Sequence, residues 1–303
     1  MTGMTDFITN ATWVDIFTIW FVLIDDAYNT LEARLGRWRR RGPQPSFADS
    51  EVITLALIID TFFHGNEELG LSFVRQYHAA LFPRLLPNGQ FNYRRRLLCR
   101  ITELIRRQLI LDWDLISDTD RLRLLDSAPV PLSTYTRGNE CQTACGQEFF
   151  GYCSSKGTKY FGVKLFLTAT SSQVVDKWLL APAAHHDSAV MGAVLEDEFD
   201  LTVLADGAFR KPLLAEALAR RELQMGAPPR RDSRWQVWSA ELRAVVGKLR
   251  RRVETTLSVL ETVFKIEHPG SRSEDGLFTR LASRLLAYTL CFITQPLLDV
   301  LGS

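Results

Sequence analysis

The sequence lacks several features that would have settled its class early. It has five cysteines in 303 residues, Cys99, Cys141, Cys145, Cys153 and Cys291. An odd count in a long chain excludes a disulfide framework as the organising principle. The Cys141, Cys145, Cys153 spacing is not that of a zinc ribbon. The nearest downstream histidines, His185 and His186, are far along the chain, so these cysteines read as small, non-ligating residues. No excess charge of one sign is present: 36 Lys and Arg face 35 Asp and Glu. Whole-chain electrostatics therefore cannot argue for nucleic acid, and any such case must come from local patches. The start, MTGMTDFITN, lacks the basic stretch and small-residue cleavage site of a signal peptide. Long hydrophobic runs are missing too. Ile16 to Ile24 and Leu285 to Leu298 both fall short of the roughly 18 to 20 apolar residues of a membrane span, and read as buried helix faces. No internal repeat is visible.

What is present is a composition for a substantial core, 46% hydrophobic and 23% charged. Residues 1–115 have helical texture. Trp13 to Arg40 has a broad apolar face and ends in a basic run before Pro43 and Pro45. Asp49 or Ser50 can cap a helix over Glu51 to Phe63, with others over Leu69 to Leu81 and Phe91 to Leu111. Near Arg121 the pattern changes. Strands are predicted around Leu122 to Asp126, Tyr160 to Ala169, Val174 to Leu180 and Leu201 to Ala205. Arg137 to Gly157 reads as a long loop or hairpin tip, and MGAPPRRDSRW as a loop. Helices are predicted over Asp187 to Asp197, Lys211 to Glu222, Ser239 to about Ile266, and Asp275 to Leu298. The fold class is mixed α/β, with an all-helical domain over 1–115 preceding a mixed α/β domain over 116–303. The element order of the second domain is that of a ribonuclease H-like fold.

Three acids stand out by position. Asp126 interrupts the apolar strand RLRLLDSAPVPL, where a carboxylate is costly unless paired, hydrogen-bonded or bound to metal. Asp206 closes the strand LTVLAD, at the carboxyl end where ligand sites of α/β sheets lie. Glu254 lies mid-helix in KLRRRVETTLSVLE. Each has a plainer reading, as a backbone acceptor, as Asp-Gly turn chemistry, or as a solvated helical ion pair. Together they suit hard divalent cations, which prefer oxygen ligands and in pairs clamp the attacking and leaving oxygens of a phosphodiester. Between Gly207 and Glu254 twelve basic residues face five acids. Arg210, Lys211, Arg230, Arg231, Arg234, Lys248, Arg250 and Arg251 are the candidates for DNA phosphate contacts, against the plain reading of a solvated face. Trp235 and Trp238 can stack on bases or serve as core.

The segments ADSEVITLALI, LFPRLLPNGQFNYRRRLL, DSAPVP, FFGYCSSKGTKYFGVKLFL, HHDS, LADGAF and RRVETTLSVLE resemble bacterial insertion-sequence transposases with a DDE domain. The nearest is the insertion-sequence family numbered 982, over roughly Ala48 to Leu298. The resemblance implies that Asp126, Asp206 and Glu254 are the catalytic, metal-holding triad. It implies two Mg²⁺ or Mn²⁺ ions per site, a ribonuclease H-like domain behind a helical DNA-binding region, and DNA as partner, both as terminal inverted repeats and as target. It further implies a homodimer on DNA, no membrane, and a cytoplasmic place on the bacterial chromosome. An inactive DNA-binding remnant and a nuclease that cuts without joining are the alternatives. The related family numbered 4 has Tyr seven residues before its Glu, Arg four before and Lys seven after. Here those positions hold Gly247, Arg250 and Glu261. Only the Arg matches, so that family's hairpin mechanism is not supported, and Glu261 is the second candidate for the third acid. His185, His186 and Asp187 resemble the family's HD pair, with Asp187 expected to cap the next helix.

Overall fold

A computed structural model describes residues 12–38, 45–154, 156–209, 218–227 and 238–301, and side chains of the last helix as far as 296. The chain forms two compact units, one of 1–115 and 263–303 and the other of 116–262.

The first unit is helical: α1 Trp13–Leu35, α2 Asp49–Phe62, α3 Glu67–Tyr77, α4 Asn88–Leu97, α5 Cys99–Asp112 and, after the second unit, α8 Glu274–Leu301. Thr12 caps α1 reciprocally, its hydroxyl accepting from the Asp15 amide at 3.2 Å while the Asp15 carboxylate accepts from the Thr12 amide at 3.1 Å. Gly36, at φ 87, ends the helix. The carboxylate of Glu51 caps α2 by accepting from the Ala48 amide, so neither Asp49 nor Ser50 is the cap. α2 is the central helix, buried from Asp49 through Thr61 except at half-buried Glu51. The helix predicted over Phe91 to Leu111 is two, broken at Leu98, whose amide bonds back to Arg94 and Arg95.

α8 belongs by its contacts to the helical unit. The sequence placed it with the mixed α/β domain, but its apolar face packs on α5 and α2, so the helical unit is discontinuous in sequence. Among the described residues α8 is long and apolar enough to cross a membrane, yet 78% of its most apolar window is buried inside the protein. Its interior positions also include Arg284, fully buried. The apolar surface of α8 is spent on the core of its own unit.

The second unit is built on a six-stranded sheet: β1 Leu122–Thr134, β2 Phe150–Cys153, β3 Thr158–Ala169, β4 Val175–Pro182, β5 Thr202–Ala205 and β6 Gln224–Gly226. β1, β3 and β4 form an antiparallel meander. β2 shares the outer edge of β3 with β4, pairing its first residues. β5 and β6 continue the sheet beyond β1 in parallel. The sequence reading had β2 in a stretch read as a long loop or hairpin tip, and most of β6 in a loop; β2 and the start of β3 do form a hairpin. β2 and β6 each have four residues or fewer, too short for alternation to declare a strand. Strand side chains alternate between faces. Leu125, Phe166, Val203 and Ala205 point to the face covered by α6 Asp187–Val194, where Val190, Met191 and Phe209 complete a core. Leu124, Leu204 and their neighbours two residues on belong to the opposite face. There α7 Ala240–Thr262 packs on β1 and β5 and buries Val246, Val253, Leu257 and Leu260.

Candidate active site

The register between β1 and β5 decides where two of the acids lie. Leu122 pairs with Thr202, Arg123 with Val203, Leu124 with Leu204 and Leu125 with Ala205. Asp126 and Asp206 are each the next residue after that last pair, on adjacent parallel strands. By alternation both belong to the face of Leu124 and Leu204, the face that carries α7. β5 stops there because Gly207 starts a 3-10 turn through Phe209. Asp206 shapes the turn, its carboxylate accepting from the Gly207 amide at 2.6 Å and its carbonyl from the Phe209 amide at 3.0 Å. β1 instead runs on past Asp126 as the partner of β3, opposite Leu167. Asp126 is therefore held inside a strand and half-buried, whereas Asp206 is exposed at a strand end.

α7 supplies the third acid and a cation one turn before it. The Arg250 guanidinium lies 3.4 Å from Asp206 and 3.8 Å from Glu254. Arg252 donates to the Ser171 carbonyl in the β3–β4 turn, and the Gln173 side chain donates to the Arg252 carbonyl at 3.1 Å. These bonds fix the rotation of α7 about its axis and so set which residues face the sheet.

Burial pushes the Asp126 carboxyl up to about 6. The Ser127 amide, donating at 2.8 Å, and the Arg250 charge pull it back, while the negative charges of Asp206 and Glu254 push it further up. The three carboxylates thus share one field, with Arg250 as their common cation. Glu261 instead pairs with Lys156 at 3.4 Å.

A titration consequence follows. The ionised form of Asp126 is the penalised one, so stability is greatest below the ordinary value of 3.8 and falls as pH rises through about 6. Asp126→Asn keeps the acceptor for the Ser127 amide and removes the charge. In EDTA above pH 7 this variant should be about 2 to 3 kcal/mol more stable than the parent, with the two converging below pH 4. Urea denaturation across pH checks this, and equal midpoints at pH 7.5 would contradict it.

The donor set fits a hard cation. It consists of carboxylate oxygens from two strand positions and a facing helix, mutually repelling and partly desolvated. Among the described residues, however, no group of three or more His, Cys, Asp or Glu is placed so that it could hold a metal ion; Arg250 stands beside Asp206 and Glu254 instead.

The other sequence candidates divide. Lys248 and Arg251 are exposed on α7. Arg250, expected among the phosphate contacts, is turned to the acids. Arg210, Lys211, Arg230, Arg231 and Arg234 lie outside the described residues, as do Trp235 and most of the helix expected over Lys211 to Glu222. Trp238 is half-buried. The cap of α6 is His186, whose Nδ1 accepts from the Ser188 amide at 3.3 Å. Asp187 is the first helical residue and pairs with Lys164 at 2.8 Å, which corrects its expected capping role. Cys141, Cys145 and Cys153 form no disulfide among the described residues. Sequence reasoning missed Arg250 as the bridging cation, although its place four residues before Glu254 was the available signal.

Comparison with known proteins adds the following. The model of the transposase DDE domain matches residues 117–290, more than half of the chain. No curated protein matches the chain. A cryo-EM structure of the piggyBac transposase synaptic complex with hairpin DNA is similar over 93% of this chain and 76% of that one, at 11% identity and a TM-score of 0.46. A Mos1 transposase paired-end complex with the left transposon end is similar over 83% of this chain and 96% of that one, at 12% identity and a TM-score of 0.23. These structural likenesses are weak, and the family rests on the domain match alone.

Proposed function

Because the chain belongs to the transposase DDE-domain family, we propose that Asp126, Asp206 and Glu254 are the triad with which it cleaves transposon ends and joins them to target DNA. The observation that supports this best is the register. Two acids directly follow the last paired residues of adjacent parallel strands, and the third faces them from α7 within the same field. The sheet order, an antiparallel meander of β4, β3 and β1 followed by parallel β5 and β6, supports a ribonuclease H-like reading of the catalytic unit.

DDE transposases use divalent ions. Here the three carboxylates would hold a pair of Mg²⁺ or Mn²⁺, which when bound supplies Lewis-acid activation of a water and of the scissile phosphate. Asp126, fixed inside β1, is the rigid member. Asp206 and Glu254 are about half exposed, at 52 and 54%, and reach the same space from opposite sides. Arg250 balances part of their charge before ions bind. Exposed Lys248 and Arg251 on the same helix would lie along DNA phosphates. Water attack releases a 3′-hydroxyl at the transposon end, and that hydroxyl then displaces a phosphodiester of the target. Because two ends must be joined to one target, a homodimer is the working assembly.

Asp126→Ala and Asp206→Ala should each abolish Mg²⁺-dependent cleavage of end DNA. Affinity for the same DNA in EDTA should stay within about threefold, since phosphate contacts dominate binding. Cleavage surviving in either variant would refute the assignment.

A further inference from the structure

The helical unit contains a second concentration of charge, far in sequence from the acids. The segment FNYRRRLL places Arg94, Arg95 and Arg96 on α4, and they have three different surroundings. Arg94 is buried against Asp49 and the Phe47 carbonyl. Arg95, only 3% exposed, pairs with fully buried Asp60 of α2 and lies 3.0 Å from Glu67 of α3. Arg96 is exposed. Arg95 and Arg96 line an open cavity of about 440 Å³ together with Glu67, Asn92, Arg272 and Arg280.

The cavity has an ordered floor and an unsatisfied mouth. On the floor, Arg280 of α8 lies 3.3 Å from Asp60 and 3.6 Å from Glu67, and donates to the Gly65 carbonyl at 3.0 Å. Gly65 has φ 80, and a Cβ there would meet the Arg280 guanidinium at 2.1 Å. Asn92 donates to both oxygens of Glu67 at 3.0 and 2.9 Å. At the mouth, Arg96 and Arg272 are exposed and have no ion-pair partner among the described residues. Four guanidiniums line the cavity, outnumbering the carboxylates of Glu67 and Asp60 two to one. The Nε of Arg95, on a side chain almost wholly buried, has no hydrogen-bond partner among the described residues. Burial and the neighbouring Arg95 charge lower the proton affinity of Arg280 despite its two acids. The uncompensated positive charge of the cavity therefore lies at its mouth, on Arg96 and Arg272.

We propose that this cavity is a binding site for a phosphate group, held at the mouth by Arg96 and Arg272 and supported below by Arg95 and Arg280. Guanidiniums form a rigid fork that matches phosphate oxygens. A floor already fixed by its own hydrogen bonds lowers the ordering cost of binding. The phosphate can come from a DNA strand or from a small soluble anion, and the two sources are separable. The site does not rest on the acid cluster: Asp126 and Asp206 substitutions leave it intact.

The test uses the full chain in EDTA and the pair Arg96→Ala with Arg272→Ala, both at exposed positions. A labelled duplex of arbitrary sequence is titrated across salt, and in parallel thermal stability is read with inorganic pyrophosphate against chloride at equal ionic strength. For a strand phosphate, the variant should bind duplex about tenfold more weakly, with the slope of log affinity on log salt reduced by about 1. Arg96→Lys with Arg272→Lys should restore most of that slope, which also guards against a folding defect in the alanine pair. If duplex binding is unchanged but pyrophosphate stabilises only the parent, the site takes a small phosphate. If both responses survive the alanine pair, the proposal is overturned.

Discussion

Glu254→Gln is expected to lower end cleavage about a thousandfold, the rate equivalent of roughly 4 kcal/mol for a lost metal-holding carboxylate. Glu261→Gln should leave the rate within about threefold, as expected of a surface ion-pair partner. The contrast tests the assignment because the two glutamates are seven residues apart on the same helix, two turns on one face. Helical periodicity alone cannot choose between them. The structure separates them by surroundings. Glu254 shares Arg250 with Asp206 at 3.8 and 3.4 Å and adds to the field on Asp126, whereas Glu261 reaches Lys156. Single-turnover cleavage of end DNA at saturating protein reads the chemical step without the binding step. Equal losses in both variants would mean that the helix, and not one carboxylate, is what matters. A loss confined to Glu261→Gln would move the third acid by two turns.

Much of this candidate site is legible in the amino-acid sequence, for identifiable reasons. Asp126 is conspicuous because a carboxylate within RLRLLDSAPVPL breaks an apolar run, and Asp206 because LTVLAD ends on an acid followed by glycine. The structure confirms both strands and adds the register that brings the two acids level. Glu254 carries no such mark, since a glutamate in a basic helix is ordinary. Its place opposite the sheet depends on the rotation of α7, set by Arg252 and Gln173 through contacts some 80 residues distant in sequence. The packing partner of the last helix was hidden for a related reason. Periodicity in α8 announces that a face is buried but does not name its partner, and that partner is α2 and α5. β2 and β6 are not legible as strands because strands of three or four residues owe their existence to a neighbour's edge. The His186 cap was assigned one residue late because an Asp beside it is the commoner cap.

The largest stability effect should arise at Asp60, a residue with no place in the chemistry. Asp60 is fully buried in α2 and is shared by Arg95 from α4 and Arg280 from α8. Arg284, a turn further along α8, also feels its charge; burial, offset in part by Asp60, holds that guanidinium down at about 10. One carboxylate therefore ties three helices, one of which is separated from the others by the whole second unit. Removing one partner of a buried pair costs about 3 to 5 kcal/mol, because the remaining charge is stranded. Asp60→Ala leaves Arg95, 3% exposed, with Glu67 as its remaining carboxylate partner. Against the total stability of about 5 to 15 kcal/mol usual for a native domain, that loss brings the helical unit close to unfolding. The exposed pair of Arg121 and Asp200, at 58 and 64% exposure, is the internal comparison, and Asp200→Ala should cost less than about 1 kcal/mol. Urea denaturation followed by helical circular dichroism measures both. A shift for Asp60→Ala no larger than that for Asp200→Ala would mean that Glu67 alone can neutralise Arg95 and Arg280.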